Sequence, residues 1–202
     1  MADLMSSIKE QLDQTTVISL TIVLLILNSA HLLSKRVLPP TTPRPYRILF
    51  IWHAFDFMIH TIFEGSFLYN CFVRPLRIPR YPYMQSSISH LLTPIPQFAS
   101  APFDPATHHP ALLTNFLNDS ANVYGSRYGD NWGSKLWMVY AKADKRWAEA
   151  DLTVVSLELL TVLGAGPLAL WICWGISRRD SRVAFWMIVL ATGELYGGMP
   201  YP

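Results

Sequence analysis

The positions of the charged residues constrain this chain more than any other feature. Its sixteen Lys and Arg fall at 9, 35, 36, 44, 47, 74, 77, 80, 127, 135, 142, 145, 146, 178, 179 and 182. Between them lie long apolar runs. A bilayer core is crossed by about 20 residues of helix. Four runs are long enough: residues 15–33, 48–73, 152–176 and 183–199. The gap 81–126 also lacks Lys and Arg, but it is rich in Pro, Ser, Thr, Asn and Asp and reads as a loop. Charged residues make up 15% of the chain, against about 25% in soluble domains. The expected fold class is therefore all-α, a polytopic transmembrane helix bundle with four spans. A formal net charge of +2 and the lack of a basic stripe argue against a nucleic-acid partner. Cys71 and Cys173 sit in apolar runs, which gives neither a disulfide framework nor a zinc spacing.

The first run reads as a retained helix. The leader before it, residues 1–14, is acidic on balance, and no A-x-A-like cleavage site follows it. Orientation comes from the basic residues. Lys35, Arg36, Arg44 and Arg47 lie in the first connection, and Arg178, Arg179 and Arg182 in the third. These two connections are expected on the cytoplasmic face, with segment 1–14 and the second connection in the lumen. The sequon Asn118-Asp119-Ser120 is compatible with that. Arg74, Arg77 and Arg80 point the other way, but loops longer than about 60 residues largely escape the rule. The second connection begins proline-rich, with an enlarged loop near 74–133. It ends in a stretch with apolar Leu136, Val139, Tyr140, Ala143 and Trp147. That spacing predicts one amphipathic helix on the membrane surface. Trp137 and Trp147 suit either packing or the interfacial belt.

Inside the spans there is no Lys or Arg, but there are four acids, Asp56, Glu64, Glu158 and Glu194, with His31, His53 and His60. A charged carboxylate at mid-bilayer costs at least about 2.5 kcal/mol, so such residues mark a functional cavity by default. His53, Asp56, His60 and Glu64 are spaced three, four and four residues apart, which puts them within about 80° on one helix face. If the second and third spans are antiparallel neighbours, Glu158 and Glu64 share a depth. Intramembrane polar groups also hold helices together. For Asp56 and Glu194 that role and a site role stand side by side, and His53 reads as structural. His60, Glu64 and Glu158 are the expected site. No metal is expected: the His60–Glu64 step alone is a thin ligand set, and His108-His109 falls in a proline-flanked loop. Neither a nucleophile elbow nor a glycine-rich phosphate loop is present.

The segments HTIFEGSF (60–67), KLWMVYAKADKRW (135–147), VSLELLTVLGAGPLALW (155–171) and GELYGG (193–198) occur in this order. The combination resembles the emopamil-binding protein family, the sterol Δ8–Δ7 isomerases of the EXPERA-domain superfamily, over about 48–199, with a loop length like that of fungal members. The resemblance implies a five-helix, often dimeric bundle in the endoplasmic reticulum membrane, and a domain over 15–199 preceded by a lumenal segment 1–14. The chain is expected to be a member without the last helix, and Gly198 stands where the family has a polar or acidic residue. His60, Glu64 and Glu158 match the family's essential histidine and two glutamates, with Thr161 one turn on. Asp144 and Arg146 match its loop motif, and Tyr196 and Gly197 its Tyr-Gly. The implied substrate is a sterol or other flat lipid. Cationic amphiphilic amines are the implied inhibitors.

Shifting a ring double bond from C8–C9 to C7–C8 needs one proton delivered and another removed, through a carbocation, with no cofactor. The His60–Glu64 pair is expected to handle the proton and Glu158 to stabilise the cation, or the two acids exchange these roles. Phe63, Phe67 and Trp171 could add cation–π stabilisation. The competing expectations are an isomerase or cyclase of a non-sterol terpenoid, and a sterol- or amine-binding relative without catalysis.

Overall fold

All four apolar runs fold as helices, and their lengths separate them. In the computed structural model, which describes residues 14–73, 76–77, 117 and 122–197, α1 (Gln14–Val37) is followed by α2 (Arg44–Ile59), a π-helical turn His60–Glu64 and α3 (Gly65–Phe72). Later come α4 (Trp132–Tyr140), α5 (Leu152–Leu160), a second π-helical turn Thr161–Ala165, α6 (Gly166–Arg178) and α7 (Val183–Gly197). The one sheet among the described residues is a two-residue ladder. In it β1 (Leu76–Arg77) pairs antiparallel with β2 (Asn122–Val123). Segment 1–13, Arg74, Arg80, His108, His109, the sequon at Asn118, Gly198 and most of the expected loop lie outside the described residues.

Two helices, Gln14–Val37 and the continuous run Leu152–Arg178, are long and apolar enough to cross a membrane. The other two expected spans differ from these for physical reasons. Helix α7 has 15 residues, about 22 Å, against about 30 Å of hydrocarbon. The run from Arg44 to Phe72 is helical throughout, but His53, Asp56, His60 and Glu64 dilute its apolar character.

The chain divides into two compact units, residues 1–68 with 155–202, and residues 69–154. In the first, α1 packs on α2, α2 on α6, and α6 on α7. The core holds Ala30, Phe50, Ala54, Ala169, Ile172, Cys173, Ile176 and Leu190. Ala30 and Ala169 are fully buried; small residues at these contacts let helix backbones approach. Helices α2 and α6 run antiparallel, with Cys173 Sγ 3.5 Å from the Phe50 carbonyl. Arg47 ties the α1–α2 connection together by donating to the carbonyls of Ser34 (3.0 Å) and Pro39 (2.8 Å). Helix α6 ends on Arg179 in the left-handed region (φ 56°). Asp180 then accepts from the Arg182 backbone N–H at 2.9 Å, which turns the chain into α7. Leu24, Leu25, Leu163, Ile188 and Leu195 are exposed along the helices.

The second unit departs from the expected single amphipathic helix. Helix α4 stops at Tyr140, and Lys145–Ala148 forms a separate 3₁₀ turn. The break is local chemistry. Asp144 takes an extended backbone and its carboxylate accepts from the Arg146 N–H at 3.0 Å, starting a new turn. Trp137 is buried and stacks on Trp147 (centroids 4.7 Å, planes 11° apart), so packing claims this tryptophan. Asn131 caps α4 by accepting from Ser134 N–H at 2.9 Å and donates to Asn70 Oδ1 at 2.7 Å.

Candidate active site

The site is built on the two π-helical turns. In each, a glycine N–H reaches back five residues: Gly65 to the His60 carbonyl and Gly166 to the Thr161 carbonyl. At the second turn the cause is Pro167, which has no N–H to donate in the α-pattern. At the first, hydroxyls compete for the ladder: Thr61 Oγ1 donates to the Phe57 carbonyl (2.8 Å) and Ser66 Oγ to that of Phe63 (2.6 Å). The two turns pack against each other, and α7 packs on the second. Gly166 lies at the contact, where a Cβ would be in ordinary van der Waals contact with His60 Cβ at 3.4 Å and the Thr161 carbonyl oxygen at 3.5 Å.

His60 is the centre of the arrangement. It is 7% exposed. Its Nδ1 lies 2.6 Å from Glu64 Oε2, a short contact along one helix face. Its Nε2 points the other way, 3.4 Å from Asp56 Oδ1 and 3.8 Å from Glu194 Oε1. Glu158, also buried, comes from the facing helix with its carboxyl beside that of Glu64, and Glu194 lies beside Asp56. The imidazole therefore sits between two pairs of carboxyl groups. His60 Nε2, Asp56 Oδ2, Glu158 Oε2 and Glu194 Oε1 are buried atoms without a hydrogen-bond partner. Orphaned polar atoms of this kind are costly in an apolar surround and suit a site that completes its bonds with a guest.

Thus His60, Glu64 and Glu158 do come together. Thr161 donates from Oγ1 to the Glu158 carbonyl at 3.1 Å, which holds the turn below that acid. Phe63 and Phe67 are buried. Trp171 and Tyr196 are exposed, and Trp171 lies against Trp174 (5.0 Å). His53 is buried one turn before Asp56, with Nδ1 unpartnered. Beyond that trio, Asp56 and Glu194 are drawn to His60 Nε2. The i,i+4 step from Asp56 to His60 is a sequence signal for the first; the second is marked only as an acid inside an apolar run, with nothing to pair it with His60. Asp56, His60 and Glu194 each offer one donor atom, all within 4.8 Å of one another.

Outside the spans, Glu149 is pushed up to about 7 by burial, although Arg127 Nη1 stands 3.8 Å away and opposes the shift. Burial and Glu149 together raise the Tyr128 hydroxyl. Gly125 (φ +127°) makes room for this chain crossing, because a Cβ there would collide with the Glu149 backbone.

Residues 132–202 match the family described as EXPERA (EXPanded EBP superfamily). The match takes in Glu158, Thr161 and Glu194, whereas His60 and Glu64 precede it. A 3-beta-hydroxysteroid-Delta(8),Delta(7)-isomerase of Cavia porcellus is 34% identical over 68 residues, 34% of this chain and 30% of the relative. A protoglabretal synthase of Ailanthus altissima is 29% identical over 82 residues, 41% of this chain and 37% of the relative. A probable 3-beta-hydroxysteroid-Delta(8),Delta(7)-isomerase of Arabidopsis thaliana is 27% identical over 86 residues, 43% and 35% of the two chains. The chain thus spans about a third of the length of these curated relatives.

Proposed function

With residues 132–202 matching the EXPERA family, we propose that this chain is a multi-pass protein of the endoplasmic reticulum membrane that isomerises a ring double bond of a flat polycyclic lipid, in the manner of a sterol Δ8–Δ7 isomerase. The observation that carries this reading is the junction of His60, Glu64 and Glu158: a buried imidazole 2.6 Å from one carboxyl, with a second carboxyl beside that one. Isomerisation is redox-neutral. A proton added at C9 leaves a tertiary cation at C8, and loss of a proton from C7 forms the C7–C8 double bond. The residues needed are an acid, a base and negative charge near the cation, in a water-poor site. The His60–Glu64 pair moves the proton and Glu158 faces the cation, or the two acids exchange these roles. Thr161 holds the backbone under Glu158. The same negative surround suits a protonated amphiphilic amine.

The test is expression in a yeast strain that lacks its own isomerase, with zymosterol conversion followed by mass spectrometry. The wild-type chain is expected to form the Δ7 product, and Glu64→Gln and Glu158→Gln each to lower the rate by roughly a hundredfold or more. Full conversion by either variant would remove that acid from the mechanism. Binding without conversion by the wild type would leave a non-catalytic lipid-binding protein. The similarity to the Ailanthus protoglabretal synthase supports a second reading, the same proton chemistry on a non-sterol terpenoid. Conversion of a triterpenoid but not of zymosterol would select it.

A further inference from the structure

The mechanism uses one nitrogen of His60 and leaves the other side of the ring unexplained. On that side Nε2 is buried and unpartnered, Asp56 Oδ1 is 3.4 Å away and Glu194 Oε1 3.8 Å away. Catalytic hydrogen bonds are often long before the guest arrives. Asp56 Oδ2 and Glu194 Oε1 are themselves buried without a bond. Two acids have thus been brought, one from α2 and one from α7, to a nitrogen the reaction itself does not touch. If their role were only to latch the two helices, both oxygens of each should be satisfied across that contact. One oxygen of each is left without a bond.

We infer that Asp56 and Glu194 form the proton-return side of His60, so that the imidazole links two carboxyl pairs, Glu64 with Glu158 and Asp56 with Glu194, and exchanges the transferred proton with the surroundings. The inference rests on the isomerase reading. Each turnover delivers one proton to C9 and takes one from C7, so the donor must be recharged with a proton of another origin or with the one just removed. A neutral imidazole does this by accepting a proton at one nitrogen while releasing the proton on the other. With Glu64 on Nδ1 and Asp56 and Glu194 on Nε2, both ends of that exchange have a partner. No electrons move and no co-reactant is consumed. Glu194 is the most open member, its side chain 34% exposed against 9% for His60 and 18% for Glu64. Asp56 and Glu194 act through His60, so they are positioning residues. Of the other titratable groups, His53 lies one turn before Asp56 on the same helix and has no contact with His60 among those described.

The test follows the isotope at C9. The full chain in lipid nanodiscs converts unlabelled zymosterol in D₂O, and deuterium at C9 of the Δ7 product is measured with kcat and KM. Wild type is expected to place deuterium at C9 almost completely. Asp56→Asn and Glu194→Gln are expected to lower kcat by roughly tenfold to a hundredfold with KM little changed. They are also expected to deplete deuterium at C9, because the hydrogen taken from C7 is then returned to C9. Asp56→Glu and Glu194→Asp should restore the label. A purely structural role would slow turnover without changing the isotope at C9, and that result overturns the relay, as does wild-type behaviour of Asp56→Asn and Glu194→Gln. Absence of conversion by the wild type overturns the isomerase reading and the relay with it, a result distinct from conversion with unaltered labelling.

Discussion

His60 shows how one side chain organises a site. It is the only imidazole among the described residues with acids on both nitrogens. Its i+4 partner Glu64 is reachable from sequence spacing alone, because the distance between such neighbours is set within one helix. Glu149, by contrast, gave no signal in the sequence. It stands in a short 3₁₀-flanked stretch, and only the crossing at Gly125 buries it. Its carboxyl moves up from 4.5 to about 7. Between those values the folded state keeps a proton that the unfolded chain releases. Stability is therefore greatest below about pH 4.5, falls as pH rises through 7, and then levels off, with an upper limit of about 3 kcal/mol lost. Glu149→Gln, which cannot ionise, is expected to match the wild type near pH 4 and to melt a few degrees higher above pH 8. Thermal unfolding in detergent across that range checks it, and parallel wild-type and variant curves would contradict it.

At the scale of elements, the helices meet through residues too small to hold them apart. Gly175 of α6 is the tightest case, since a Cβ there would lie 2.6 Å from Val183 Cγ2 at the start of α7. Val183 is short and buried, so it cannot swing away. Gly175→Ala is expected to destabilise by roughly 1–3 kcal/mol, even though alanine is the better helix former by about 1 kcal/mol. Adding Val183→Ala should recover most of that loss. Denaturation of the single and double variants measures the coupling, and additive effects would show that the two sites do not touch. The elements also mark where periodicity misled. A 3.6-residue pattern through Leu136, Val139, Tyr140, Ala143 and Trp147 is real, but it does not encode the Asp144 cap that cuts it in two. Nor does an apolar run announce a π-helical turn, although Pro167 after Gly166 could have suggested one.

For the whole molecule, the exposed leucines of α1 and α7 and the charge pattern bear on the same question. Within the first unit, antiparallel packing of α2 on α6 brings Arg44 and Arg47 to the same end as Arg178 and Arg179. That agrees with the distribution from which a common cytoplasmic face is expected. After Cys71 and Cys173 are replaced by serine, single cysteines at Lys35 (K35C) and Arg179 (R179C) are expected to be labelled by an impermeant maleimide only when microsomes expose their cytoplasmic face. Labelling of one from each side would break the shared orientation.

What the sequence determined by itself is local: helix after helix from the long uncharged runs, and one face carrying His53, Asp56, His60 and Glu64, because backbone hydrogen bonds set that geometry within a few residues. The same residues, in resembling a family of isomerases, led to His60, Glu64 and Glu158. That Glu194 joins Asp56 at the second nitrogen of His60 was decided only in three dimensions. Glu194 arrives from a helix more than a hundred residues away, and its place depends on how α7 packs on the π-helical turn at Thr161–Ala165. Contacts between helices depend on the shapes of both surfaces at once, and no stretch of chain carries that information alone.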